Sequence, residues 1–145
     1  MDRLKPFFSL KGRASRLAFW RFQAWQALIS AVIWCVTIWV TMAAGWLGAA
    51  PFLLLGVMLA AGVCMTIRRL HDRNRSAWWL IAFGPGPYLL MMSVYLLADT
   101  VGGPVATLAS LPLALGAIVL AVWSWIELGF RRGTRGPNAF GAEPV

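Results

Sequence analysis

The sequence predicts an all-α integral membrane protein with four transmembrane helices, both termini cytoplasmic, and a third helix broken or kinked at Gly84-Pro85-Gly86-Pro87. Three observations carry this. Hydrophobic residues make up 60% of the chain and charged residues 12%, against about 25% charged in an ordinary soluble domain. No charged side chain falls between Arg21 and Arg68, and only Asp99 falls between Arg75 and Glu127. Those stretches exceed the roughly 20 apolar residues that cross a bilayer. Finally, the 13 basic residues come in three groups: six in residues 1–21, four in 68–75 and three (Arg131, Arg132, Arg135) in the tail. Lys and Arg stay on the cytoplasmic side, so the alternation of connections with and without basic residues counts the spans and orients them. The net charge of +8 therefore reads as topology, and nucleic acid is not expected as a partner.

The elements follow in order within a single four-span domain covering 1–145. Residues 1–15 form a basic, aromatic segment, with Phe7 and Phe8 beside Lys5 and Lys11, suited to the headgroup surface. Gly12 ends it, and Ser15 is placed to cap a helix from Arg16. Span one covers 16–44. Its Phe22-to-Met42 run exceeds the 7–15 residues of a signal-peptide core, so a retained span is expected. Gln23, Gln26, Ser30, Thr37 and Thr41 recur at helical spacing, a polar face that should turn away from lipid. An uncharged external turn at 45–51 leads to span two, 52–67, where Gly56/Ala60 and Gly62/Thr66 have the four-residue spacing that permits close helix approach.

Ser76 can cap span three, 76–98. Two prolines and two glycines in four residues must kink or break it. A second external turn at 99–104, without Lys or Arg, precedes span four, 105–127, and residues 128–145 form a Gly-rich cytoplasmic tail without helical periodicity. Trp20, Trp25, Trp78, Trp79, Trp123 and Trp125 all fall at the predicted inner boundary, as an aromatic belt requires. Cys35 and Cys64 differ in expected depth by roughly 14 Å, too far for a disulfide.

The polar chemistry concentrates in Arg68-Arg69-Leu70-His71-Asp72-Arg73-Asn74-Arg75. If span two continues as helix, Arg68 and Asp72 form an i,i+4 pair. The arginine fork binds carboxylates in two-point contacts, so Asp72 and Glu127 are expected to knit the arginines into a cytoplasmic-face network that fixes helix packing. The surplus of arginines over carboxylates suits anionic phospholipid headgroups or an acidic partner segment. His71 and Asp72 are helix neighbours and do not face each other, so they make no acid/base pair. No nucleophile motif is present, one His with scattered carboxylates cannot assemble a metal site, and no catalytic residue, metal or cofactor is expected. A homo-oligomer or membrane-protein partner fits the small-residue faces. A small oligomeric transporter or channel component, or an interfacial enzyme acting on an anionic substrate, are the alternatives. A proton relay is unsupported because no ionisable residue lies deep in a span.

Three motifs resemble a known family. Phe8-Ser9-Leu10-Lys11-Gly12-Arg13-Ala14-Ser15-Arg16-Leu17-Ala18-Phe19-Trp20 is similar to its F-x-G-R-x-S-R-x-x-F-W opening. Arg68-Arg69-Leu70-His71-Asp72 followed by Arg75-Ser76-Ala77-Trp78-Trp79 resembles its R-R-L-H-D-x-x-x-S-G-W-W core, with Ala77 replacing the usual Gly. Gly133-Thr134-Arg135-Gly136-Pro137-Asn138-Ala139-Phe140-Gly141 resembles its closing G-x-x-G-x-N-x-F/Y-G. The family is the bacterial inner-membrane one catalogued as domain of unknown function 805 (YhaH-like). The resemblance implies an inner-membrane protein with no established activity. All three motifs fall on the predicted cytoplasmic side, which leads to one expected polar site made of Arg13, Arg16, Arg68, Arg69, His71, Asp72 and Asn138. Ser76, Trp20, Trp78, Glu127 and Gly141 would support it, with Gly136 and Gly141 letting the tail fold back.

Overall fold

In a computed structural model the structure describes residues 8–45 and 51–144. Lys5 and Phe7 of the predicted interfacial segment, most of the 45–51 turn, and Val145 lie outside the described residues. Helix α1 (Arg16–Ala44) begins where expected: Ser15 is extended, and its hydroxyl accepts from the Ala18 N–H at 3.3 Å, filling one of the donors a helix start leaves open. Gly45, at φ 58°, ends it and donates its N–H back to the Thr41 carbonyl. Helix α2 (Phe52–Asp72) carries its helical geometry through Arg68, Arg69 and His71 to Asp72. Helices α3 (Trp79–Phe83), α4 (Pro85–Thr100) and α5 (Gly103–Trp125) follow, and a π-helical turn covers Ile126–Phe130. Among the described residues there is no strand.

Three helical stretches are long and apolar enough to cross a membrane: Arg16–Ala44, Leu53–Asp72 and Gly103–Phe130. Four such spans are expected from the sequence; the third, 76–98, is broken at the expected Gly84-to-Pro87 stretch into two helices, neither long enough to count by itself. Gly84 (φ −92°, ψ −90°) separates them. A residue before proline is driven out of the helical region, and Pro85 then opens α4, where a missing N–H costs nothing. Ser76 does not cap either piece with its side chain; its carbonyl accepts from the Trp79 N–H at 3.2 Å. The predicted tail also starts later than 128, because the π turn carries helical structure to Phe130, with the Arg131 N–H donating to the Ile126 carbonyl at 3.0 Å.

The chain divides into two compact units, one formed by the described residues of 1–74 and 133–145 and the other by Arg75–Arg132. In the first, α1 and α2 pack antiparallel. Gln26 reaches from α1 to the Met58 carbonyl at 3.4 Å, and a Cβ at Gly62 would lie 3.0 Å from the Gln26 amide. Close approach is thus needed at Gly62, while Gly56 faces open space. The expected polar face of α1 is only partly turned inward: Thr37 is buried and bonds its own helix at the Ile33 carbonyl, whereas Gln23 and Thr41 are exposed. Cys35 and Cys64 are free.

In the second unit α4 packs antiparallel on α5. A Cβ on Gly84 would lie 2.8 Å from the Leu80 carbonyl oxygen, and the buried Ser124 hydroxyl donates to the Phe83 carbonyl at 3.3 Å. Protein therefore satisfies a backbone group at the break, as irregular backbone at membrane depth requires. Large apolar side chains face outward along the helices, Trp39 at 72% exposure and Leu53 at 78% among them. That is a liability in water and the normal surface in lipid. Gly84→Ala is expected to lower stability by about 1–3 kcal/mol, since backbone must shift. Gly56→Ala is expected to be neutral or stabilising by up to about 1 kcal/mol. Thermal melts of both variants in one detergent check the contrast.

Candidate functional site

The site grows from the last turn of α2. Arg69 and Asp72 lie three apart there and share a helix face, and the Arg69 Nη1 bonds Asp72 Oδ2. From the other chain end, Gly12 at φ 91° turns the backbone just ahead of Arg13. The Ala14 N–H donates to the Arg68 carbonyl at 3.0 Å and pins that segment against α2. Arg13 then meets the second carboxylate oxygen, with Nη2 2.9 Å and Nε 3.1 Å from Asp72 Oδ1. Arg69 and Asp72 are 0% and 2% exposed and Arg13 is 6% exposed.

Two guanidiniums on one carboxylate leave one positive charge in a buried place, where an unbalanced charge is costly. Backbone carbonyls of the tail answer it. Arg13 donates to the carbonyls of Thr134 at 2.5 Å, Gly136 at 2.6 Å and Gly141 at 3.3 Å. Gly136 (φ 71°) and Gly141 (φ 130°) hold conformations that L side chains rarely adopt, and they turn those carbonyls inward. The Asp72 carbonyl in turn accepts from the Thr134 N–H at 2.9 Å and its hydroxyl at 3.1 Å. Asn138 donates to the His71 carbonyl at 2.9 Å and the Thr134 hydroxyl at 2.8 Å, and accepts from the Phe140 N–H at 2.9 Å. The His71 ring stacks on Phe140, centroids 4.0 Å apart and planes 3° off parallel, with Nδ1 3.3 Å from the Gly12 carbonyl.

Of the residues singled out in the sequence, Arg13, Arg69, His71, Asp72, Asn138 and Gly141 come together in this clasp. Arg68 joins from its edge, donating from Nη2 to the Arg13 carbonyl at 3.4 Å. Its expected i,i+4 partner, Asp72, holds Arg69 on one carboxylate oxygen and Arg13 on the other. Arg16 and Trp20 are exposed on the first turns of α1, and Ser76 and Trp78 are exposed ahead of α3. Glu127 belongs to the second unit: fully buried in the π turn, it takes Arg75 on Oε1 at 3.0 Å and Arg131 on Oε2 at 2.8 Å. Asp72 and Glu127 thus each gather two arginines within their own unit. Thr134, Gly133 and Phe140 were not singled out, although all three lie within the closing motif. Among the described residues no three His, Cys, Asp or Glu side chains gather as a metal would need.

This arrangement uses the opening, central and closing motifs at once, and the family described as protein of unknown function (DUF805) matches residues 7–142. The chain belongs to the DUF805 family. It is similar to the inner membrane protein YhaI of Escherichia coli K12, 31% identical over 104 residues that cover 69% of this chain and 83% of YhaI. The YhaI of Escherichia coli O157:H7 matches with the same figures. No solved structure matches. This DUF805 chain is a membrane protein, and the residues its family motifs share are the ones that tie its two ends to α2.

Gly133 reports how tightly the tail seats. A Cβ there would lie 2.5 Å from the Asp72 carboxyl carbon, a contact no buried ion pair can absorb without moving. Gly133→Ala is expected to lower stability by about 2–4 kcal/mol and to expose the tail to protease, read by thermal melts and limited proteolysis.

Proposed function

We propose that this DUF805 protein is a multi-pass protein of the bacterial inner membrane that performs no catalysis. Its cytoplasmic face is closed by the Asp72 clasp, and an exposed basic rim engages anionic phospholipid headgroups or the acidic segment of a membrane partner. One observation carries the reading: Arg13, Arg69 and Asp72 are buried and spend their bonds on one another and on the chain's own carbonyls. Charges held this way build a structure. The His71 ring, stacked on Phe140, is likewise committed to packing. Among the described residues of the same unit, Lys11, Arg16, Arg21 and Arg135 are the exposed basic residues beyond the clasp, at a level where each cation is worth about 1 kcal/mol against an anionic leaflet.

The clasp also supports the crossing count. Arg13 precedes α1, Asp72 ends α2 and Thr134 follows α5, and direct hydrogen bonds hold the three together. They therefore share one membrane face, which the concentration of Lys and Arg assigns to the cytoplasm. A chain that leaves this face after Asp72 and returns by Thr134 must cross an even number of times. Helix α5 supplies one crossing; α3 and α4 in series supply the other. Together they rise about 31 Å at 1.5 Å per residue, matching a hydrocarbon core of about 30 Å.

Asp72→Ala would strand two buried guanidiniums and is expected to cost about 3–5 kcal/mol, with the tail released to protease. Arg13→Lys, which keeps the charge but loses the fork, should fall between it and wild type. A variant that keeps its melting temperature and a protected tail without the Asp72 carboxylate would contradict the reading. Single cysteines at Ser9 and at Ala142, in a Cys35→Ser, Cys64→Ser background, should both be labelled by a membrane-impermeant thiol reagent only from the cytoplasmic side. Opposite sidedness of the two would rule out the even crossing count.

A further inference from the structure

We propose that residues 136–143 form a strap over an anion site on Arg13, displaced by the phosphate of a phospholipid headgroup or of a free phosphate ester. The Arg13 fork divides its donors between two sets of acceptors. Nε and Nη2 turn to Asp72 Oδ1, and Nη2 also donates to the Thr134 carbonyl at 2.5 Å. Nη1 donates to the carbonyls of Gly136 at 2.6 Å and Gly141 at 3.3 Å. Those two oxygens are neutral and come from one short loop. An ionised acceptor makes hydrogen bonds roughly twice as strong as a neutral one, and the arginine fork matches the oxygens of a phosphate. The strap therefore holds, through weaker acceptors, a donor that a phosphate oxygen holds better. Lys11 is exposed just before Gly12 and Arg13, and Arg135 is exposed beside Gly136. Cations thus flank the site on both stretches of chain that build it.

The strap can lift without unravelling. The Gly136 N–H donates to the Glu143 carboxylate at 2.6 Å. The Asn138 and Gly141 backbones exchange N–H to carbonyl bonds at 3.0 and 3.2 Å. All of these lie within 136–143, so lifting breaks none of them. The root stays behind: Thr134 keeps its N–H and hydroxyl on the Asp72 carbonyl and its own carbonyl on Arg13 Nη2. Gly136, at φ 71°, stands where root and loop meet, and a glycine there absorbs a change of chain direction. Besides the two Nη1 bonds, lifting gives up the Asn138 amide on the His71 carbonyl and Thr134 hydroxyl, and the Phe140 stack on the His71 ring. A phosphate on Nη1 offsets that loss with charge-assisted bonds. Glu143 is the one acid in 133–145, and it is exposed on the strap. An arriving anion therefore repels the segment it displaces.

This inference rests on the clasp and deepens the headgroup reading above by naming where the phosphate sits. The test uses the full-length chain in mild detergent, in a Cys35→Ser, Cys64→Ser background, with a fluorophore on Ala142→Cys reporting the strap. Short-chain phosphatidylglycerol, phosphatidylcholine of the same chains, and glycerol 3-phosphate are the probes. Phosphatidylglycerol should shift the fluorescence saturably and open the strap to protease, and phosphatidylcholine should do neither. Glycerol 3-phosphate matching phosphatidylglycerol would assign the site to a free phosphate ester; a much weaker effect would assign it to the lipid headgroup. Phe140→Ala removes the ring stack without touching Arg13 and should raise the apparent affinity for phosphatidylglycerol about tenfold, since the open state is more populated. Asn138→Ala, which loosens the strap's other hold on α2, should act alike if the first variant folds poorly. The site is overturned if neither anionic probe moves the strap, or if phosphatidylcholine moves it equally. It is also overturned if a folded variant with a protease-sensitive strap gains no affinity. Phosphatidylglycerol bound with the strap still closed would sink the strap and leave the exposed basic rim standing. A failed Asp72→Ala prediction, read without any anion, leaves the response of the wild type to be measured.

Discussion

The Asp72 carboxylate, shared between Arg13 and Arg69 out of water, is the interaction on which the cytoplasmic end of the first unit depends. Burying three charges is expensive, and their mutual attraction compensates only when the remaining donors are also met. Here the tail carbonyls meet them, so the ion pairs and the tail conformation stabilise each other. The tail carbonyls of Thr134, Gly136 and Gly141 serve Arg13, while Arg69 donates to the Ala14 carbonyl at 3.3 Å. The His71–Phe140 stack and the Asn138 bridge to the His71 carbonyl add contacts on one side. The charged centre supplies the geometry.

Arg13 can serve as this hub because its planar fork points several donors in fixed directions. Nε and Nη2 face Asp72 while Nη1 and Nη2 also reach three carbonyls of the tail. The second unit solves a related problem differently. Glu127 is equally buried, yet its arginines extend toward the surface, one over the Trp79 face.

Local signals in the sequence were read well wherever local physics decides. Ser15 caps α1 because an extended hydroxyl residue ahead of a helix has that partner within reach. Gly84 and Pro85 break the third span because the steric rule acts on adjacent residues. What that break does to span counting was less legible: the same residues that kink a helix also leave α4, at 16 residues, too short to cross by itself. The π turn at Ile126–Phe130 carries no compositional mark, and it decides where Glu127 points.

By itself the sequence determined that this chain belongs in a bilayer, where most of its helices begin and end, and which three motifs carry its polar residues. Composition and charge spacing suffice for that, because the bilayer penalises each charge according to its depth. Only the tertiary structure decided the partners. Arg68 and Arg69 are equivalent on a helix written as spacing, yet Arg69 holds Asp72 while Arg68 turns to the Arg13 carbonyl. Asp72 holds Arg13 and Arg69, and Glu127 holds Arg75 and Arg131. Spacing places a side chain on a face; the direction of its last few bonds depends on backbone carbonyls delivered from residues 55 to 128 positions away, and no local pattern encodes those.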